Sequence, residues 1–174
     1  MPAVYVCSLS QVAATVASTR ASHLMTLINA STPVTRPESI AEANHLFVGI
    51  NDIVEAQDGL VLPGEEHVRR VIDFAGAWDR THPMVVHCYA GISRSTAAAF
   101  ITLCATRPER DEAEIAQRLR AASRFATPNA RLVALADAML ERDGRMIAAI
   151  AAIGRGEEAV EGVPFVLPLQ VGPG

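Results

Sequence analysis

The chain predicts an α/β fold, and three observations carry that reading. Short runs rich in β-branched and aromatic residues lie at Ala3–Cys7, His23–Ile28, His45–Ile50 and Met84–Val86. Between the third and fourth runs, Val68, Val71, Ile72, Ala75 and Trp78 recur at helical spacing within Glu65–Arg80, with charges on the opposite face. Beyond the fourth run the pattern turns helical almost to the end.

Taken in order, Ala3–Cys7 is the first strand. Ser10–Ser22, with Val12 and Val16 among alanines, is a helix or a covering loop. His23–Ile28 is the second strand. Asn29–Pro37 is a loop rich in Ser, Thr and Pro, and Glu38–Ala43 forms a short helical piece. His45–Ile50 is the third strand. Asn51–Gly64 carries acids, Gly59 and Pro63, which makes it a loop. Pro83 marks the turn into the fourth strand. Four helices then follow, over about Arg94–Thr106, Glu109–Ser123, Asn129–Arg142 and Arg145–Ile153. Pro108 and Pro128 sit near helix starts, and Gly144 and Gly154 break or cap the later helices. In Gly156–Gly174, Pro164 and Pro168 flank Phe165-Val166-Leu167, which either docks as an edge strand or packs loosely over the core. The chain therefore divides into one domain over residues 1–155 and a tail over 156–174.

Half of the 174 residues are apolar, enough for a core without covalent staples. Aromatic residues make up only 5%, so the core is aliphatic and rich in alanine. All 15 basic residues are arginines, which leaves every phosphate contact to arginine. The net charge of −4 argues against a general nucleic-acid binder or a polybasic membrane anchor. Cys7, Cys88 and Cys104 are odd in number and have no paired spacing, which points to reduced thiols and a cytoplasmic setting. No Cys/His grouping has metal-ligand spacing, and His23, His45, His67 and His82 read as satisfied surface or core side chains. The start of the chain lacks the pattern of a secretory leader, and the longest apolar stretch, Met146–Ile153, is too short to span a bilayer.

The stretch that carries chemistry is Val85-Val86-His87-Cys88-Tyr89-Ala90-Gly91-Ile92-Ser93-Arg94-Ser95. A buried strand leads in and an alanine-rich helix leads out. A tight loop between them leaves successive N–H groups at a helix N-terminus, a cradle for phosphate formed by residues Tyr89 to Arg94. Amide dipoles around such a loop favour a thiolate, which suits Cys88 as nucleophile. The planar fork of Arg94 can take two phosphate oxygens at once. Gly91 supplies positive φ where the backbone wraps the anion. The Ser95 hydroxyl can reach back to the cysteine sulfur, and His87 can hold the loop by bonding to backbone.

His87, Cys88, Gly91, Arg94 and Ser95 form His-Cys-x-x-Gly-x-x-Arg-Ser, which resembles the signature of the cysteine-dependent protein tyrosine phosphatase superfamily. The resemblance implies a phosphatase-type α/β sandwich. Its central, mainly parallel sheet has about four to five strands flanked by helices, with the phosphate loop between a strand and a helix. Ligands in such folds bind outside the carboxyl ends of the strands.

A thiolate attacking phosphorus needs an acid to protonate the leaving oxygen. Asp52 follows the third strand directly, and Asn51-Asp52 resembles the general-acid position of the dual-specificity subgroup. The 36-residue spacing from Asp52 to Cys88 is slightly long for that subgroup, so the intervening loop holds an insertion and Asp58 stays the alternative. Asp73 and Asp79 read as a solvated helix face. Ala126-Thr127-Pro128-Asn129 resembles the segment whose asparagine supports the phosphate loop, although Thr127 and Asn129 equally suit an N-cap.

The resemblance implies a phosphatase acting on phosphomonoesters of protein or small molecules through a phosphocysteine, with no cofactor or metal. Phosphotyrosine is the default substrate, alone or with phosphoserine and phosphothreonine. Cys88, Arg94, Asp52 and Ser95 would be the catalytic set, with His87 and Asn129 in support. Neither nucleic acid nor membrane is an expected partner. The alternatives are a phosphate-reading module without catalysis, a sulfurtransferase and an arsenate reductase.

Overall fold

The computed structural model describes residues 1–170; the final Val-Gly-Pro-Gly of the tail lies outside the described residues. Five strands form one sheet in the order β3-β2-β4-β1-β5: β1 Ala3–Cys7, β2 His23–Ile28, β3 His45–Gly49, β4 Met84–His87 and β5 Phe165–Pro168. The first four are parallel, and β5 runs antiparallel along the outer edge of β1. The sheet is thus mainly parallel, and the tail docks as the edge strand.

Alternation along the strands splits the core in two. Val4, Val6, Met25, Leu27, Met84 and Val86 point to one face, under the helices α2 Glu65–Ala77, α3 Arg94–Thr106, α4 Glu112–Ala122, α5 Ala130–Met139 and α6 Arg145–Ile153. Cys7, Leu24 and Val85 point to the other face, which α1 Val12–Thr19 and the loop around Ile40 cover. β4 is buried along its whole length, as its unbroken apolar run requires. α3 lies against β1, β2 and β4 and is buried from Arg94 through Cys104.

Several boundaries move from the sequence expectation, each for a local reason. The first helix is preceded by a single 3-10 turn at Leu9–Gln11 and ends where Arg20 adopts a left-handed conformation, φ 54°. The expected helical piece at 38–43 is a 3-10 turn at Glu42–Asn44. α2 stops at Ala77 because Trp78 turns extended, its indole N–H donating to the His82 carbonyl at 3.0 Å. α4 starts three residues late, at Glu112, because Asp111 caps it by accepting the amides of Ala113 and Glu114. Asn129 caps α5 in the same way through Leu132.

Candidate active site

β4 delivers Cys88 to the carboxyl edge of the sheet, and α3 begins at Arg94, so residues 88–93 form the loop between them. Cys88 is only 2% exposed. Its Sγ lies 3.1 Å from Ser95 Oγ and accepts the Gly91 amide at 3.3 Å.

The polarity of the loop follows from where its carbonyls go. Tyr89 O accepts the Leu9 amide at 3.0 Å, Ala90 O that of Gly162 at 2.8 Å, and Ile92 O that of Thr127 at 2.9 Å. Ser93 O accepts from both Ala97 and Asn129. These carbonyls are thus taken up by groups outside the loop or in α3, which leaves the loop's amides as its unpaired polar groups. Among the described residues those of Tyr89, Ala90, Ile92, Ser93 and Arg94 have no acceptor. Five free N–H groups at the positive end of a 13-residue helix make an anion cradle.

Gly91 has φ +73°, and a Cβ there would lie 2.7 Å from the Cys7 carbonyl carbon and 2.8 Å from the Ser8 nitrogen. Both the conformation and the close passage of β1 require glycine.

Arg94 is 8% exposed, and one guanidinium nitrogen donates to Asn29 Oδ1 and to the Ile50 carbonyl, each at 2.9 Å. Its Nε is buried without a partner among the described residues. The side chain is therefore anchored from β2 and β3 while keeping a donor in reserve. Asn29 carries no mark in the sequence, where it opens a loop rich in Ser, Thr and Pro. The signal available was its place directly after β2, on the sheet edge that carries Cys88.

His87 is fully buried, and burial, against a weaker opposing backbone bond to Cys88, pushes its pKa down to about 4. Its Nδ1 faces the Cys88 carbonyl at 3.0 Å, so that nitrogen carries the proton. Its Nε2 then accepts from Thr26 Oγ at 2.7 Å, and Thr26 accepts from His45 Nε2 at 2.9 Å. The neutral ring ties the loop to β2.

Asp52 Oδ1 accepts from Ser93 Oγ at 2.7 Å and from Asn129 Nδ2 at 2.9 Å. Asp58 sits on the exposed turn at 57–60 and takes part in no hydrogen bond among the described residues. The structure thus brings Cys88, Ser95, Arg94, His87, Asp52 and Asn129 to one edge, and leaves Asp58 outside. Asn129 Oδ1 also caps α5 by accepting the Leu132 amide, so one side chain joins the helix start to Asp52.

The segment 155–162 passes along the rim of the loop, a feature with no sequence signal. Besides the bond from Gly162 to Ala90, the Gly156 amide donates to Thr127 Oγ1 at 3.1 Å. The Glu161 carboxylate accepts the hydroxyls of Ser8 and Ser10. An open cleft of about 550 Å³ runs between this strap and Asp52, Ile92 and Ser93. Among the described residues, no three His, Cys, Asp or Glu side chains converge as a metal site, and no helix is long and apolar enough to cross a membrane.

Residues 60–129, from the loop before α2 to the Asn129 cap, match the protein-tyrosine phosphatase family. No curated protein matches the chain. Among solved structures, DUSP15 superposes with a TM-score of 0.61 at 16% identity, covering 88% of this chain and 91% of its own. Human DUSP28 gives 0.60 at 17%, covering 80% and 94%. PTPMT1 in complex with PI(5)P gives 0.58 at 14%, covering 85% and 94%. Residues 60–129 thus resemble protein-tyrosine phosphatases, and the chain as a whole has the fold of these small phosphatase structures.

Proposed function

We propose that the protein hydrolyses phosphomonoesters on proteins, phosphotyrosine foremost, through a phosphocysteine formed on Cys88. The observation that carries this is the loop itself. The Gly91 amide meets the Cys88 sulfur, five further loop amides have no acceptor among the described residues, and the Tyr89, Ala90 and Ile92 carbonyls bond to groups outside the loop.

In the first step the Cys88 thiolate attacks phosphorus and the bond to the leaving oxygen breaks. The loop amides and Arg94 hold the equatorial oxygens, the electrostatic contribution expected to dominate. The Asp52 carboxyl gives its proton to the departing oxygen. In the second step Asp52, now a carboxylate, takes a proton from water as that water attacks phosphorus. The P–S bond breaks, and the Ser95 hydroxyl, 3.1 Å from the sulfur, stabilises the returning thiolate. His87 and Asn129 position the loop and the acid.

The presence of nucleophile, arginine and acid together supports catalysis over mere phosphate reading. The Arg94-Ser95 pair and the Asp52 carboxylate support phosphatase over sulfurtransferase or arsenate reductase chemistry. PTPMT1 was captured with a phosphoinositide. In this chain, Tyr89, Ala90, Ile92 and Ser93 add no basic side chain to the loop, which favours a singly phosphorylated protein over a polyanionic lipid. The absence of disulfides among the described residues suits a reducing, cytoplasmic setting.

The test is turnover of an aryl phosphate with chelator present and no thiol cofactor. Cys88→Ser should abolish turnover while phosphate binding and fold persist. Retained turnover in that variant would overturn the mechanism. Asp52→Ala used as a trap in cell lysate would then name the substrate.

A further inference from the structure

Next to the phosphate loop, across Val160 from the main cleft, lies a second hollow of about 300 Å³. Its walls are Leu9, Ser10, Tyr89, Ala90, Val160 and Glu161. Most of that surface is apolar and presented to solvent, with Tyr89 63% and Val160 97% exposed. A lone exposed apolar residue needs no explanation, but these two face a common hollow whose polar group is a carboxylate.

Glu161 differs from the other acids of the strap. Glu157 pairs with Arg124 at 3.5 Å and Glu158 with Arg155 at 3.6 Å. Glu161 has no cationic partner among the described residues, and no basic side chain lines the hollow. It is nonetheless fixed, because Ser8 and Ser10 both donate to the same oxygen, Oε1. Those two bonds, Ser10's first, also hold its pKa below the usual carboxylate range, so it stays charged at neutral pH. Its second oxygen accepts nothing from the described residues.

An anchored, unneutralised carboxylate at the edge of an aromatic and aliphatic hollow complements one kind of side chain. A long cationic chain can lay its methylenes on Leu9 and Tyr89 and bring its head to Glu161 and the tyrosine face. Tyr89 and Ala90 belong to both the hollow and the phosphate loop. The occupant therefore sits within a residue or two of the phosphorylated one, given about 3.3–3.6 Å of extended chain per residue.

We infer that this hollow is a specificity subsite for an arginine or lysine flanking the phosphorylated residue, making basic phosphopeptides the favoured substrates. The inference rests on the phosphatase reading of the adjoining loop and adds the substrate class to it.

The test uses the full chain carrying Cys88→Ser and labelled peptides read by fluorescence anisotropy. The peptides have phosphotyrosine or tyrosine at the centre, and arginine, glutamine or glutamate within two positions on either side. At low salt the arginine phosphopeptide should bind about three- to fivefold tighter than the glutamine one, the upper end for a solvent-exposed charge pair. Adding Glu161→Gln should shrink that ratio below about twofold, and Glu161→Arg should turn the preference towards glutamate. Thermal melts of each variant check the fold. An arginine preference that is absent in the parent, or unchanged in both Glu161 variants, overturns the subsite. Arginine preference that follows Glu161 but ignores the phosphate would keep the subsite and sink the phosphatase reading instead.

Discussion

Asn129 bridges a helix and a carboxylate: its Oδ1 accepts the Leu132 amide at 3.0 Å while its Nδ2 donates to Asp52 Oδ1 at 2.9 Å. One side chain thus starts α5 and aims the acid. The two duties separate by substitution. Asn129→Asp keeps an N-cap acceptor but faces Asp52 with an acceptor of like charge. It should lose kcat with little change in Tm. Asn129→Ala should lose kcat and also about 1 kcal/mol of stability, the usual worth of a cap. Equal stability of the two variants, measured by chemical denaturation, would contradict the capping half of this account.

Asp52 should reveal itself through the leaving group. Without the carboxylate, kcat for phosphotyrosine should fall by roughly 10²–10⁴-fold, while an aryl phosphate with an acidic leaving group should lose much less. The basic limb of the pH–rate profile should vanish too. Asp58→Asn is the control and should change little. The opposite pattern, with Asp58 carrying the leaving-group dependence, would require the loop 51–64 to close differently over the cleft.

Gly91→Ala should destroy the loop. The new methyl meets the Cys7 and Ser8 backbone at 2.7 to 2.9 Å, and an L-residue is strained at φ +73° besides. Strain of this kind costs on the order of 1–3 kcal/mol before the clash is counted. Turnover and phosphate binding should both disappear, with Tm lowered. A variant binding phosphate as the parent does, by calorimetry, would show that β1 yields more easily than its burial suggests.

Acid should loosen the protein through His87. Its folded pKa of about 4 lies below the ordinary 6.5 because the ring is buried. Above pH 6.5 neither state binds the proton and stability is full. As pH falls from 6.5 towards 4 the unfolded chain takes the proton first, so stability falls by up to about 3 kcal/mol. Denaturation at pH 7 and pH 5 measures the loss. In His87→Asn the slope should flatten, leaving the smaller contributions of His23, His45 and His67, all lowered in the same direction by burial. An unchanged slope would mean that His87 is charged in the folded protein.

Thiol labelling should be selective. Burial pushes Cys7 up to about 11 and Cys104 up to about 12, so both stay protonated and inert at neutral pH. Iodoacetate, itself an anion drawn to the loop, should label one site, Cys88, and phosphate should protect it. Mass spectrometry showing equal labelling of Cys7 would refute this.

The loop 88–93 was legible in the sequence because it is local: strand, cysteine, glycine, arginine and helix follow one another within a dozen residues. Asp52 was legible by one further step, the rule that parallel strands open their ligands on one edge. Asn29 was not, since it meets Arg94 across 65 residues and its own neighbourhood reads as ordinary loop. Nor was the strap, whose Glu161 reaches Ser8 across 153 residues. The helix boundaries moved where a single cap, such as Asp111, outweighed the apolar period. Local chemistry writes itself into the chain, whereas the groups that hold it in place arrive through tertiary contact.

The edge strand sets an order of assembly. β5 pairs with β1, so the sheet joins residues at opposite extremes of the described chain, and such long-range pairings form slowly. On the ribosome, β1 to β4 and the nucleophile emerge well before the strap and β5. Until the strap and β5 are released, the Ala90 carbonyl lacks its Gly162 donor and the hollow lacks the wall that Val160 and Glu161 provide. Discrimination at the proposed subsite therefore waits on the strap and β5, which are made after the sheet and loop that they complete.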